Sequence, residues 1–225
     1  LPFFLLKKII LTLYRYMELK VVVPSRMEEI TLEQYQRFLN ECSDEKLKED
    51  AIALKMLEIF CGVPPAKAYS YKMSDVFNIC DQINKCLNEK PPLISRWKYK
   101  DLELGFIPQL DDMTFGEYVD VDTYIVDWDQ MHKAMAVLYR PVKQQFKGSY
   151  EVEEYKGDAY HELMKSMPLS LVMGCMLFFW SLEKDLIKVM RTSLSKEGSP
   201  ISQEKLTSML NTAGIIPSGD SQEKT

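Results

Sequence analysis

Between Asp101 and Asp129 the sequence carries nine carboxylates, Asp101, Glu103, Asp111, Asp112, Glu117, Asp120, Asp122, Asp127 and Asp129, with no Lys or Arg among them. Carboxylates at short spacing can hold a divalent cation or divide the work of general acid and general base. Asp120 with Asp122, and Asp127 with Asp129, are the pairs that such chemistry would use. Neither pair lies in a calcium-loop pattern, because the central Gly and the terminal bidentate Glu of that loop are missing. The block reads better as a solvated acidic face that steers a basic partner. An acid–base pair assembled by the fold stays open, since convergence in space is invisible in sequence.

His132 in "DWDQMHKAM" and His161 in "GDAYHELMKS" fall in amphipathic helical patterns, with no Ser or Cys nucleophile motif beside them. The five cysteines, Cys42, Cys61, Cys80, Cys86 and Cys175, are odd in number, lie in apolar patterns and form no CxxC pair. They read as reduced core thiols rather than disulfides or zinc ligands. The sequence holds no phosphate-cradling glycine loop, no GxSxG elbow and no HExxH helix. The expectation is a non-enzyme without cofactor or metal.

These residues sit in a chain of 225 amino acids, 46% hydrophobic and 27% charged, which suffices for a substantial core. A net charge of −5 argues against sequence-independent nucleic-acid binding, which needs clustered Lys and Arg. The opening "LPFFLLKKIILTLYRY" is interrupted by Lys7 and Lys8 and is too short to span a bilayer. Residues 1–16 read as an upstream extension or mobile segment ahead of Met17, residues 17–194 as one mainly helical domain, and residues 195–225 as a mobile polar tail. A second apolar run, "LVMGCMLFFW" from Leu171 to Trp180, is also too short for a span and reads as a central core helix. Its alternative reading is a partner-binding groove lined by Met173, Met176, Phe178 and Phe179.

The elements follow from periodicity and breakers. A strand is expected at Leu19–Val23, then a helix through "ITLEQYQRFLNEC". A second helix runs from about Asp44 to "CGVPP", and a third is capped by Ser74 and ends at "NEKPP". "RWKYKDLELGFI", Arg96–Ile107, reads as a hairpin turning at Lys100 and Asp101. Helices follow from Thr114 and through "MHKAMAVLY", which ends before Pro141, with a strand at Tyr150–Tyr155. A short helix at His161–Met167 and a long one from Leu169 to about Ser193 complete an α+β, mainly α-helical fold, a helical domain with a small antiparallel β-sheet or hairpin. "ITLEQY" and "MTFGEY" share a helix-starting grammar: Thr31 and Thr114 as caps, Gln34 and Glu117 reaching back, and Ile30 with Tyr35, or Met113 with Tyr118, as hydrophobic staples.

The segments "ITLEQYQRF", "GFIPQLDDMTFGEYVDVDTY", "MAVLYRPV", "YEVEEY" and "LVMGCMLFFW", between Ile30 and Trp180, resemble small structural-gene products of tailed bacteriophages, in particular tail assembly chaperones. The resemblance implies a non-enzymatic protein of the host cytoplasm that binds the tape-measure protein, or other phage tail proteins, during tail morphogenesis. On that reading Met173, Met176, Phe178 and Phe179, with Asp120, Asp122, Asp127 and Asp129, are the partner-binding candidates. No nucleic acid and no membrane span are expected, and homo-oligomerisation is left open. Two alternatives stand beside it: a virion component such as a connector or baseplate protein, and a phage enzyme using the acidic cluster.

Overall fold

The computed structural model describes residues 21–44, 46–110, 113–146 and 149–196. The expected extension at residues 1–16, the tail from residue 197, and Leu19 and Lys20 of the expected first strand lie outside them. The fold is α+β and mainly helical, with a four-stranded antiparallel sheet. The described residues divide into two compact units, one holding residues 21–30 together with Arg37–Glu89, the other Thr31–Gln36 and residues 90–196.

In the first unit, α1 (Leu32–Glu41, shared in sequence with the second unit) is followed by α2 (Glu49–Cys61), α3 (Pro65–Ala68) and α4 (Met73–Leu87). Val21–Val23 are not a strand. Instead the carbonyl of Pro24, a residue with no N–H to give a ladder, accepts from Gln82 Nε2 at 2.9 Å and from Cys86 Sγ at 3.4 Å. α2 starts later than the periodicity suggests because Asp44 accepts its own chain's Lys46 N–H at 2.9 Å, closing a local turn. α2 stops at Gly62, whose φ of 64° is cheap only for glycine, and whose N–H bonds the Glu58 carbonyl. Ser74 is not the cap of α4. The first backbone bonds of that helix, from Asp75 and Val76, run to the Lys72 carbonyl, which leaves Ser74 inside the first turn. Met56, Leu57, Phe60, Cys80, Ile83 and Cys86 form the core where α2 and α4 pack.

In the second unit the sheet is a meander, β1 (Arg96–Tyr99), β2 (Leu102–Phe106), β3 (Tyr139–Phe146) and β4 (Ser149–Val152), in that spatial order. The expected hairpin is present, with Tyr99 opposite Leu102 and Lys100 in a left-handed turn at φ 53°. β3 was not legible, because a proline at its third residue argues against an inner strand. Pro141 is nonetheless paired with Leu104 on one side, and on the other its carbonyl accepts the Glu153 N–H at 2.8 Å. Gly105 lies within β2. A β-carbon there would strike the ring of Tyr150, whose hydroxyl donates to the Phe106 carbonyl at 2.6 Å.

The second unit also holds α5 (Phe115–Ile125), α6 (Met131–Leu138), α7 (His161–Met164) and α8 (Leu169–Lys196). In α6 every residue from Met131 to Leu138 except Lys133 is buried. In α8, Leu171, Val172 and Cys175 are buried, whereas Met173, Met176, Phe178 and Phe179 are half-buried and Trp180 is exposed. Among the described residues no helix is long and apolar enough to cross a membrane.

Candidate functional site

Both hexapeptides are capping boxes. Thr114 Oγ1 accepts the Glu117 N–H at 3.3 Å while Glu117 Oε2 accepts the Thr114 N–H at 2.7 Å. Thr31 and Gln34 repeat the exchange at 3.2 and 3.0 Å. Their settings differ. The first box is completed by the Leu32 and Glu33 N–H groups, which reach the carbonyls of Met167 and Lys165. The second opens a helix that buries Glu117 and exposes Phe115.

On α5 the acidic residues do not share one solvated face. Glu117 is buried, and its second oxygen takes a 2.8 Å bond from Arg140 Nη1 on β3, both side chains being 8% exposed. This corrects the reading of the block as uniformly hydrated. Asp120, one turn on and half-buried, accepts the Tyr155 hydroxyl at 2.9 Å. The burial of that phenol and its bond to Asp120 push its pKa far up. What α5 shows to water is largely apolar: Phe115 at 82%, Tyr118 at 52% and Val119 at 42%, continued by Val126 just past its end. These positions follow helical spacing, and Asp122 and Thr123 are the exposed polar members of the same stripe.

The remaining acidic candidates are local. Asp127 caps a short 3-10 turn, accepting from the Asp129 N–H at 2.9 Å and Gln130 Nε2 at 3.0 Å. The Gln130 bond, then the Asp129 N–H, hold its carboxyl below the usual range. Asp129 is exposed. The apolar candidates lie on a different element: Phe178 and Phe179 on α8 pack their rings on Phe106 of β2, with centroids 5.9 and 6.3 Å away.

A cleft of about 690 Å³ opens at the start of α5, between Ile107–Gln109, Thr114, Glu117, Arg140 and the segment Tyr150–Tyr155. Its outer wall carries exposed Glu151 and Glu154, together with Glu153, which is paired with Lys156 at 2.5 Å. Arg140 Nε is buried there without a partner.

The two histidines, far apart in sequence, come within 6.3 Å centroid to centroid. His132 Nδ1 lies 3.2 Å from Gln36 Nε2, a nitrogen that also donates to the Trp128 carbonyl, so His132 accepts at Nδ1. His161 stands edge-on to Tyr124, and its Nε2 is buried with no partner. Burial holds both imidazoles below the usual histidine range, helped by Lys165 and Lys133 at His132 and by Lys133 at His161. Among the described residues no three His, Cys, Asp or Glu side chains converge as metal ligands.

No protein-family model matches this chain, and no curated protein or solved structure matches it either.

Proposed function

We propose that this chain is a non-enzymatic tail assembly chaperone of tailed bacteriophages, which binds the tape-measure protein in the host cytoplasm while the tail is built. One observation carries the binding role: α5 of the second unit leaves a helical stripe of large apolar side chains in water, Phe115, Tyr118 and Val119. In the first unit Met73 and Phe77, one turn apart at the start of α4, and Tyr69 in the connection before it are also 61% exposed or more. Contiguous apolar surface of this kind marks a place where another protein binds, and aromatic and methionine side chains adapt to varied helical partners. The phage assignment comes from the resemblance of the segments between Ile30 and Trp180.

Co-expression with a candidate tape-measure protein tests the reading. A chaperone raises the soluble yield of that protein, co-purifies with it, and is missing from finished virions. Retention of the chain in purified particles would instead make it a connector or baseplate component, whose apolar stripes are permanent interfaces.

A further inference from the structure

We infer that the outer face of α5 is the docking site for an amphipathic helix whose apolar stripe is bordered by Lys or Arg. The stripe Phe115, Tyr118, Val119, Val126 extends over three turns, roughly 16 Å, which is the reach of a helix-in-groove contact read at successive turns. Its apolar character is not a by-product of a weak helix start. Thr114 and Glu117 fix the first turn, and Arg140 and Tyr155 hold the two inward carboxylates, so the helix cannot roll its aromatic face inside without stranding Glu117 and Asp120.

Charge selects the occupant. Asp122 lies exposed within the stripe and Asp129 beyond its far end; Glu151 and Glu154 stand on the cleft that begins at Thr114 and Glu117. No Lys or Arg occurs anywhere from Asp101 to Asp129. A helix with cations along the edges of its apolar face therefore meets Asp122 within the stripe and Asp129 beyond it, whereas an acidic helix meets like charge at those positions. A second copy of this chain is disfavoured for the same reason: a two-fold pairing of α5 faces would set Asp122 and its acidic surroundings against themselves.

The inference rests on the reading of the chain as a holder of helical partners, and it does not depend on the partner being a phage protein. Two labelled peptides of about 18 residues test it, sharing one Leu/Ala face, one edged with Lys and the other with Glu, each titrated with the full chain by fluorescence anisotropy. The Lys-edged peptide should bind at least about tenfold more tightly. The double variant Phe115→Ser/Tyr118→Ser should remove about tenfold or more of that binding with an unchanged circular dichroism spectrum. Asp122→Lys, an exposed change that threatens no core contact, should narrow the preference for Lys over Glu, and Phe77→Ser in the other unit should leave it alone. Equal binding of the two peptides, or loss of binding only with Phe77→Ser, overturns the inference. So does a dimer in sedimentation that Phe115→Ser dissociates, because the occupant would then be a second copy. Peptide binding as expected alongside a tape-measure protein that stays insoluble would defeat the chaperone reading alone. A soluble tape-measure complex indifferent to Phe115→Ser/Tyr118→Ser would defeat the α5 site alone.

Discussion

Glu117 carries two structural tasks with one carboxylate: one oxygen closes the capping box on Thr114, and the other neutralises Arg140 beneath the helix. Breaking a buried pair leaves one charge without its counter-ion, which costs roughly 3–5 kcal/mol. Arg140→Met should therefore lower the urea midpoint of the chain severely. Adding Glu117→Gln, which removes the orphaned charge while keeping an acceptor for the cap, should recover part of the loss. If the double variant is no more stable than Arg140→Met alone, the pair is not what binds α5 to the sheet. The histidines give a second residue-scale test. Burial, then Lys165, Lys133 and His161, lower the pKa of His132, against a weaker pull from Glu162. The unfolded chain then takes up the proton more readily than the folded one. The stability that His132 contributes is complete above its unfolded value of about 6.5 and is lost as pH falls below it. The urea midpoint should drop between pH 7.5 and 5, and His132→Gln should flatten that slope. A wild-type midpoint independent of pH in this window would contradict the burial of the two rings.

At the scale of the element, α5 shows where periodicity misleads. Phe115, Tyr118 and Val119 repeat at the spacing of a core face, yet they stand outside. Glu117 and Asp120 point inward instead, held by Arg140 and Tyr155, residues 23 and 35 places along the chain from their partners. The caps, in contrast, were legible, since a capping box is made within four residues and needs no distant partner. Thr114→Ala should cost about 1 kcal/mol, seen as a lower melting temperature. α8 depends on a closer approach: a β-carbon at Gly174 would run into the Pro92 carbonyl, a backbone atom that cannot swing aside. Gly174→Ala should destabilise by roughly 1–3 kcal/mol despite its better helix propensity, and a stabilised Gly174→Ala variant would show that α8 does not lie against that carbonyl.

For the whole molecule, two cores divide the five thiols. Cys80 and Cys86 are buried in the first unit and Cys175 in the second, while Cys42 and Cys61 are half-buried. Burial pushes Cys175 up to about 12 and, with Cys80 nearby, Cys61 up to about 11, so neither is a ready thiolate near neutrality. Alkylation by iodoacetamide at pH 7.5 should leave Cys175 unmodified in the native chain and modify it in urea, as peptide mass mapping would show. The sequence by itself determined the helical character, the hairpin at Arg96–Ile107, both capping boxes and the stop at Gly62, because each depends on residues within a few positions of one another. Only the tertiary structure decided that Pro141 sits in an inner strand, that α6 is buried at every residue but Lys133, that His132 meets His161, and that α5 turns Glu117 and Asp120 inward and Phe115 and Tyr118 out. Those outcomes depend on partners distant in sequence, and a buried charge follows its counter-ion even where hydrophobic periodicity points the other way.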